Sequence, residues 1–231
     1  GLVYNLWSKE VIAMKHHEGV QMSDQFRTAI FIILSGGFQD AYTYCCRGGV
    51  FANAQTGNIV LMSADIFGGN FTHALGYLIP LLSFIIGIYA AECVHSKYRF
   101  YEKIHWRQMI LACEILVLFA VGFMPHTAAR AANALVSFAC ALQLQTFHKV
   151  RGHAYASTMC IGNMRSGVEA MHAYFETRDK KILHKALTYF GVIFVFALGA
   201  GLGSLAVGYL GIRAIWISPA LLLISFVMMF I

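Results

Sequence analysis

Long apolar stretches alternate with short polar or glycine-containing turns along most of the chain. Six of them, approximately residues 28–46, 73–95, 108–124, 129–148, 184–210 and 213–231, run with few charges. A helix needs about 20 residues to cross ~30 Å of hydrocarbon, so the pattern predicts an all-α, polytopic membrane protein with six transmembrane helices. The third stretch is short and the fifth long, which predicts local thinning at one and tilt at the other. Two further segments, about 58–67 and 163–175, follow polar breaks and are too short to span.

The two breaks resemble each other. In Phe51-Ala-Asn-Ala-Gln-Thr-Gly-Asn-Ile-Val-Leu-Met62 the pair Gly57 and Asn58 separates apolar segments, and in Ala156-Ser-Thr-Met-Cys-Ile-Gly-Asn-Met-Arg-Ser-Gly167 the pair Gly162 and Asn163 does so 105 residues later. At an offset of 112, Tyr77 aligns with Tyr189 and Gly87 with Gly199, the seven extra residues falling in the charged loop around 177–181. This reads as an internal duplication, with repeat one about 27–124 and repeat two about 125–231 in one transmembrane domain.

Each unit holds three spans, so an odd number forces the second copy to be inverted. Basic residues give the orientation. With the N-terminus inside, the outer loops keep only Arg47, Arg130 and Arg213, and the other 14 of the 17 Lys and Arg residues lie on the cytoplasmic side. That asymmetry predicts that both termini are cytoplasmic, in a multi-pass protein of the inner or plasma membrane. Residues 1–26 mix Lys9, Glu10, Lys15, Glu18 and Asp24 with apolar residues, so no secretory signal core is expected there. Trp7, Val11 and Met14 share one helical face, which fits either an interfacial helix or a disordered tail in this N-terminal segment.

Composition agrees with the pattern. Of 231 residues, 58% are hydrophobic and 12% charged, with a mean hydropathy of +0.63, whereas a soluble domain carries about 25% charged residues. The formal charge of +6 then reflects basic loops on one side of a bilayer, not a nucleic-acid partner. Cys45, Cys46, Cys93, Cys113, Cys140 and Cys160 are scattered in or beside apolar segments without a disulfide framework. The ten histidines show no zinc-type spacing, so neither metal nor cofactor is expected.

Backbone outside a helix cannot face lipid, because each unsatisfied amide costs several kcal/mol. Each break is therefore expected either as a re-entrant segment buried in protein or lining a wet cavity, or as a surface loop. Restarted helices at Thr56 or Asn58 and at Thr158 or Asn163 would aim N–H groups and positive dipole ends at that cavity, suiting an anion or a carboxylate. Gly57 and Gly162 are expected to permit a tight turn or a close backbone approach. Ionisable residues inside spans mark function by default. Asp40 lies in the first span, and Gln145, beside Gln143 in the fourth, is its partner at the 105 offset. The expected solute site thus comprises Asp40, Gln55, Thr56, Gly57, Asn58, Gln143, Gln145, Gly162 and Asn163, converging near the midplane. Glu114 in the third span and the i, i+4 pair Arg165 and Glu169 are secondary candidates. Small residues Gly199, Gly203, Ser204 and Gly208 in the fifth span, and Ser83, Gly87 and Ala91 in the second, predict either a close crossing of those two helices or a face for a second copy or another membrane partner.

The elements Gly36-Gly-Phe-Gln-Asp-Ala41 and Gly48-Gly-Val-Phe-Ala-Asn-Ala-Gln-Thr-Gly-Asn58 resemble the first motif of the YoaK-like family of integral membrane proteins, which is defined by a domain of unknown function. The second half, Ala141-Leu-Gln-Leu-Gln145 and Thr158-Met-Cys-Ile-Gly-Asn163, is similar but has Ile161 where a Thr is expected. The resemblance covers roughly residues 25–228 and implies a compact polytopic protein of the cytoplasmic membrane. Three functions compete. The first is a small transporter or channel-like permease for a small anionic or carboxylate-bearing solute, the second a non-catalytic assembly or helper subunit. The third is a membrane-embedded enzyme using Asp40, Glu114, Arg165 and Glu169 as acid, base and anion clamp. No nucleophile and base pair and no phosphate loop supports the enzyme.

Overall fold

A computed structural model describes residues 26–98, 106–147, 149–150, 153–154 and 160–230. The expected interfacial helix around Trp7, Val11 and Met14, and Thr158, lie outside the described residues. Among the described residues the regular structure is helical apart from one two-residue strand pair, Lys149–Val150 with His153–Ala154. In order, the α-helices are α1 (Phe26–Cys46), α2 (Gln55–Phe67), α3 (Phe71–Tyr98), α4 (Trp106–Val121), α5 (Ala129–Thr146), α6 (Cys160–Thr177), α7 (Lys180–Leu210) and α8 (Ile217–Met228), with a 3₁₀ segment Gly211–Trp216 joining the last two. Two helical runs among the described residues are long and apolar enough to cross a membrane, Phe71–Tyr98 and Lys180–Met228. The second run reverses direction at Gly211, whose φ of 56° lies in the left-handed region that glycine adopts without strain.

Close approaches fix how the helices pair. A Cβ at Gly199 would overlap the Leu34 carbonyl, and one at Gly37 the Phe196 carbonyl, so α7 lies directly on α1. A Cβ at Gly87 would come within 2.7 Å of Phe138 O and Ala141 Cβ, so α3 lies on α5 in the same manner. Small residues let helix backbones meet at van der Waals distance, which drives association where no hydrophobic force exists between helices. The anticipated crossing of Gly87's helix with Gly199's is thereby corrected: each packs on the first long helix of the opposite half, because that is where a flat glycine surface meets it.

Hydrogen bonds give the directions. Gln143 Nε2 donates to Ile32 O, Cys140 Sγ to Gln39 Oε1 and Asn133 Nδ2 to Arg47 O, so α1 and α5 run antiparallel. Ser218 meets Ser35 and Ser225 donates to Thr28 O, which makes α8 antiparallel to α1 as well. The main core forms where these helices meet α4, around Ile32, Phe38, Leu111, Leu118, Val136 and Leu222.

Arg47 is buried where it holds the corner between the end of α1 and the end of α4. Arg47, 1% exposed, donates Nε to Tyr42 Oη and its terminal nitrogens to Val121 O, Met124 O and Pro125 O. These carbonyls follow the C-terminus of α4, where the helix dipole is negative, so the cation is compensated without a carboxylate. At the opposite kind of junction, Asp179 Oδ1 accepts the Lys181 N–H at 2.8 Å and caps α7.

Candidate functional site

The polar residues of α1 divide by face. Ser35 and Gln39 are one turn apart and point toward α4, α5 and α8, whereas Asp40, the next residue along, points toward the 50–54 loop. Two buried polar clusters result.

The first cluster is at the helix crossing. Gln39 Nε2 lies 2.9 Å from Ser35 Oγ, 3.0 Å from Ser218 Oγ and 3.5 Å from Glu114 Oε1, while its Oε1 accepts from Cys140 Sγ at 2.7 Å. Ser35 and Ser218 share a further bond of 2.6 Å. An amide nitrogen has two hydrogens, so three acceptors compete for them, and Glu114 receives the longest contact. Glu114 is fully buried and its Oε2 has no hydrogen-bond partner among the described residues. No basic side chain pairs with it there. α1, α4, α5 and α8 each contribute to this cluster, which therefore joins both halves of the chain.

The second cluster holds the first break. Asp40 Oδ1 accepts the Asn53 N–H at 2.7 Å, and Asn53 Nδ2 donates to Gly36 O at 3.1 Å. Asn58 is wholly buried. Its Oδ1 accepts the Phe51 N–H at 2.9 Å and its Nδ2 donates to Phe51 O at 2.7 Å and to Gln55 Oε1 at 3.0 Å. Asn58 thus supplies the loop with the pair of bonds that a β-strand neighbour would give, and Gln55 Nε2 closes the turn on Ala52 O.

The expected capping is corrected by this arrangement. Helix α2 starts at Gln55 and α6 at Cys160, so Thr56, Asn58 and Asn163 lie inside the first turns instead of capping them. The N-cap of α2 is Ala54, without a side-chain bond. Asn58 is not spare for capping because both of its polar atoms serve Phe51. Neither Gly57 nor Gly162 has positive φ. Gly57 is needed for another reason, since a Cβ there would come within 3.0 Å of the Phe51 ring, whereas Gly162 faces open space.

The sequence candidates are therefore brought together only in part. Asp40, Gln55, Gly57 and Asn58 gather at the first break, with Thr56 exposed beside them. Gln143 is buried on α5 and bonds Ile32 O. Gln145 is half-exposed and donates to Glu92 Oε2 at 2.9 Å. Asn163 is buried at the fourth position of α6, as Asn58 is at the fourth of α2. Arg165 and Glu169 form an exposed ion pair at 2.9 Å, 82% and 63% exposed, and contribute nothing to a buried site. Glu114, a secondary candidate, sits at the centre of the crossing cluster. Ser35, Gln39, Cys140 and Ser218 were not singled out: a lone serine or cysteine in an apolar stretch has little sequence signal. The i, i+4 spacing of Ser35 and Gln39 was the one available sign of a polar face.

A family model described as "Protein of unknown function (DUF1275)" matches residues 28–228. No curated protein and no solved structure matches the chain.

Proposed function

The chain belongs to the DUF1275 family of proteins of unknown function, and from that premise we propose that it is a small membrane permease for a small, anionic or carboxylate-bearing solute. The observation that carries this reading is the fully buried polar cluster of Glu114, Gln39, Ser35, Ser218 and Cys140 where the two halves cross. Burying polar groups costs stability unless they are fully paired, and in a membrane protein an unpaired carboxyl facing the bundle interior marks an ion or substrate pathway.

Membrane placement is supported by the outward faces. Only 17% of the most apolar stretch in Lys180–Met228, and 33% of that in Phe71–Tyr98, is buried. Phe194, Leu198, Leu202 and Leu205 on α7 and Ile85, Ile86 and Tyr89 on α3 all lie exposed, which hydrocarbon tolerates and water does not. We read α1, α3, α4, α5, α7 and the unit of the 3₁₀ segment with α8 as six spans, with both termini cytoplasmic. The two halves are read as inverted copies of a YoaK-like unit. Reciprocal packing supports this: α7 on α1 answers α3 on α5, α1 with α8 answers α5 with α4, and α1 and α5 are antiparallel.

The solute site is placed between the Gly-Asn turns of α2 and α6. In this packing Asp40 fills the position in front of the Asn53 amide, so an anionic solute reaches that amide by displacing Asp40's carboxylate. A helper subunit is the second reading, favoured by the exposed strip Ala197, Gly201, Ser204 and Gly208 on α7, which suits a second copy or another membrane helix. Flux into proteoliposomes across a panel of small carboxylates, cations and neutral solutes decides between them. The permease reading expects at least one solute to move faster than in protein-free liposomes and Asn58→Asp to slow it. Folded protein that moves none of them leaves the subunit reading.

A further inference from the structure

We propose that Glu114 is an exchangeable proton site where α1, α4, α5 and α8 meet. The geometry has three parts. Glu114 is 0% exposed and, among the described residues, its Oε2 has no partner and its Oε1 has only the 3.5 Å contact from Gln39. An ionised carboxylate so placed is nearly uncompensated, and moving an uncompensated ion out of water costs several kcal/mol even after relaxation. The carboxyl therefore holds its proton in this packing, with Oε2 as the O–H. The cluster is close-packed on Ser35, Gln39, Ser218 and Cys140, and the ligand it takes is a proton, which needs no cavity.

The groups facing Glu114 from each element fit this assignment. From α1 come Gln39 and Ser35, from α8 the Ser218 hydroxyl, and from α5 the Cys140 thiol, which bonds Gln39 Oε1. Cys113 is its neighbour on α4. Arg107 lies two turns earlier on the same helix, and Arg47, at the other end of α4, is engaged with carbonyls. Water reaching Oε2, or Gln39 turning both of its amide hydrogens onto Glu114, stabilises the carboxylate and releases the proton. The reaction is a simple dissociation: the O–H bond breaks, the proton leaves to water, and the electron pair stays on Glu114.

That the proton accompanies a solute rests on the permease reading; that it exchanges does not. Infrared difference spectra of the protein in lipid nanodiscs, recorded as the pH is stepped, test the exchange directly. Wild type is expected to lose a carboxylic acid C=O band as pH rises, with a downshift of that band in D₂O. Glu114→Gln, which keeps the size and hydrogen-bonding shape, is expected to lack the band, and Glu114→Asp to show it at a shifted frequency. A band that persists in Glu114→Gln, or a Glu114 band that neither titrates nor shifts in D₂O, overturns the proposal. In parallel, flux driven by a pH gradient is expected to lose its pH dependence in Glu114→Gln; unchanged pH-driven flux overturns the proposal while leaving the permease standing. If no solute moves at all, the permease reading fails and the infrared arm alone decides the proton site.

Discussion

At the scale of single residues, Asp40 and Glu114 show how two carboxyls in one apolar chain take different work from their surroundings. Asp40 has a backbone donor at 2.7 Å, so it shapes the loop before α2, whereas Glu114 has, among the described residues, only the 3.5 Å contact from Gln39. Asp40→Asn is expected to weaken the loop by about 1–2 kcal/mol, since a hydrogen bond to a charged acceptor is worth roughly 1.5–3 kcal/mol and the amide oxygen retains part of it. Hydrogen exchange at the Asn53 amide, faster in the variant, is the measurement, and unaltered protection there would dissociate Asp40 from the loop. Gly57→Val is expected to destabilise more, because its side chain meets the Phe51 ring that stacks on Tyr44 at 4.7 Å. Overpacking of this kind costs about 1–3 kcal/mol. Gly162→Val, facing open space, is the matched control and is expected to leave thermal unfolding in detergent close to wild type. Arg47→Met removes the donors to three carbonyls and to Tyr42. With buried unsatisfied acceptors at ~1–3 kcal/mol each, loss of at least 3 kcal/mol is expected by denaturant titration, and a wild-type midpoint would mean water replaces the guanidinium.

At the scale of elements, each of the six long apolar stretches holds a helix but several ends were misjudged, and the segment expected over 163–175 as too short to span is the 18-residue α6, longer than α4. The expected span 184–210 begins at Lys180, because Asp179 caps it and a capped charged turn extends beyond the apolar run. The stretch 213–231 is divided at Ile217, the turn Gly211–Trp216 being 3₁₀. Periodicity has no signal for such a turn, although Gly211 itself was visible. Helix α2 starts before its Gly-Asn pair, because Asn58 holds the loop at Phe51, a use that spacing alone cannot reveal. Which glycines pack was legible only as a stripe. Gly199 and Gly203 turn inward onto α1, while Gly201 and Gly208 have no atom within reach of a Cβ. Gly199→Leu is therefore expected to break the α1–α7 contact and give aggregated or misfolded protein, and Gly201→Leu to fold normally. Size-exclusion profiles in detergent read both. A Gly201→Leu protein that folds but shifts from a larger to a smaller species would assign the outer strip to a second copy.

At the scale of the whole molecule, the packing is reciprocal in a way that orientation must respect. α1 and α5 are antiparallel, with α7 on α1 and α3 on α5 through glycine surfaces, so the ends that hold Arg47, Asn70 and Arg213 lie at one side of the bundle and the α6–α7 turn with Arg178 and Lys181 at the other. Basic side chains are retained on the cytoplasmic side of short loops, and Arg178, Lys180, Lys181 and Lys185 cluster at the second side, while Arg47 on the first is consumed by carbonyls and Arg130 Nη2 by Thr72 O. The cysteines Cys45, Cys93 and Cys113 are exposed in the fold and need replacement before labelling. In that background a cysteine at Asn70 is expected to react with a membrane-impermeant maleimide added to intact cells, and one at Lys181 only after the membrane is opened. The reverse result would invert the whole assembly. The side that holds Arg47, Asn70 and Arg213 would then be the cytoplasmic one, while the helix pairing, fixed by Gly37, Gly87 and Gly199, would stand.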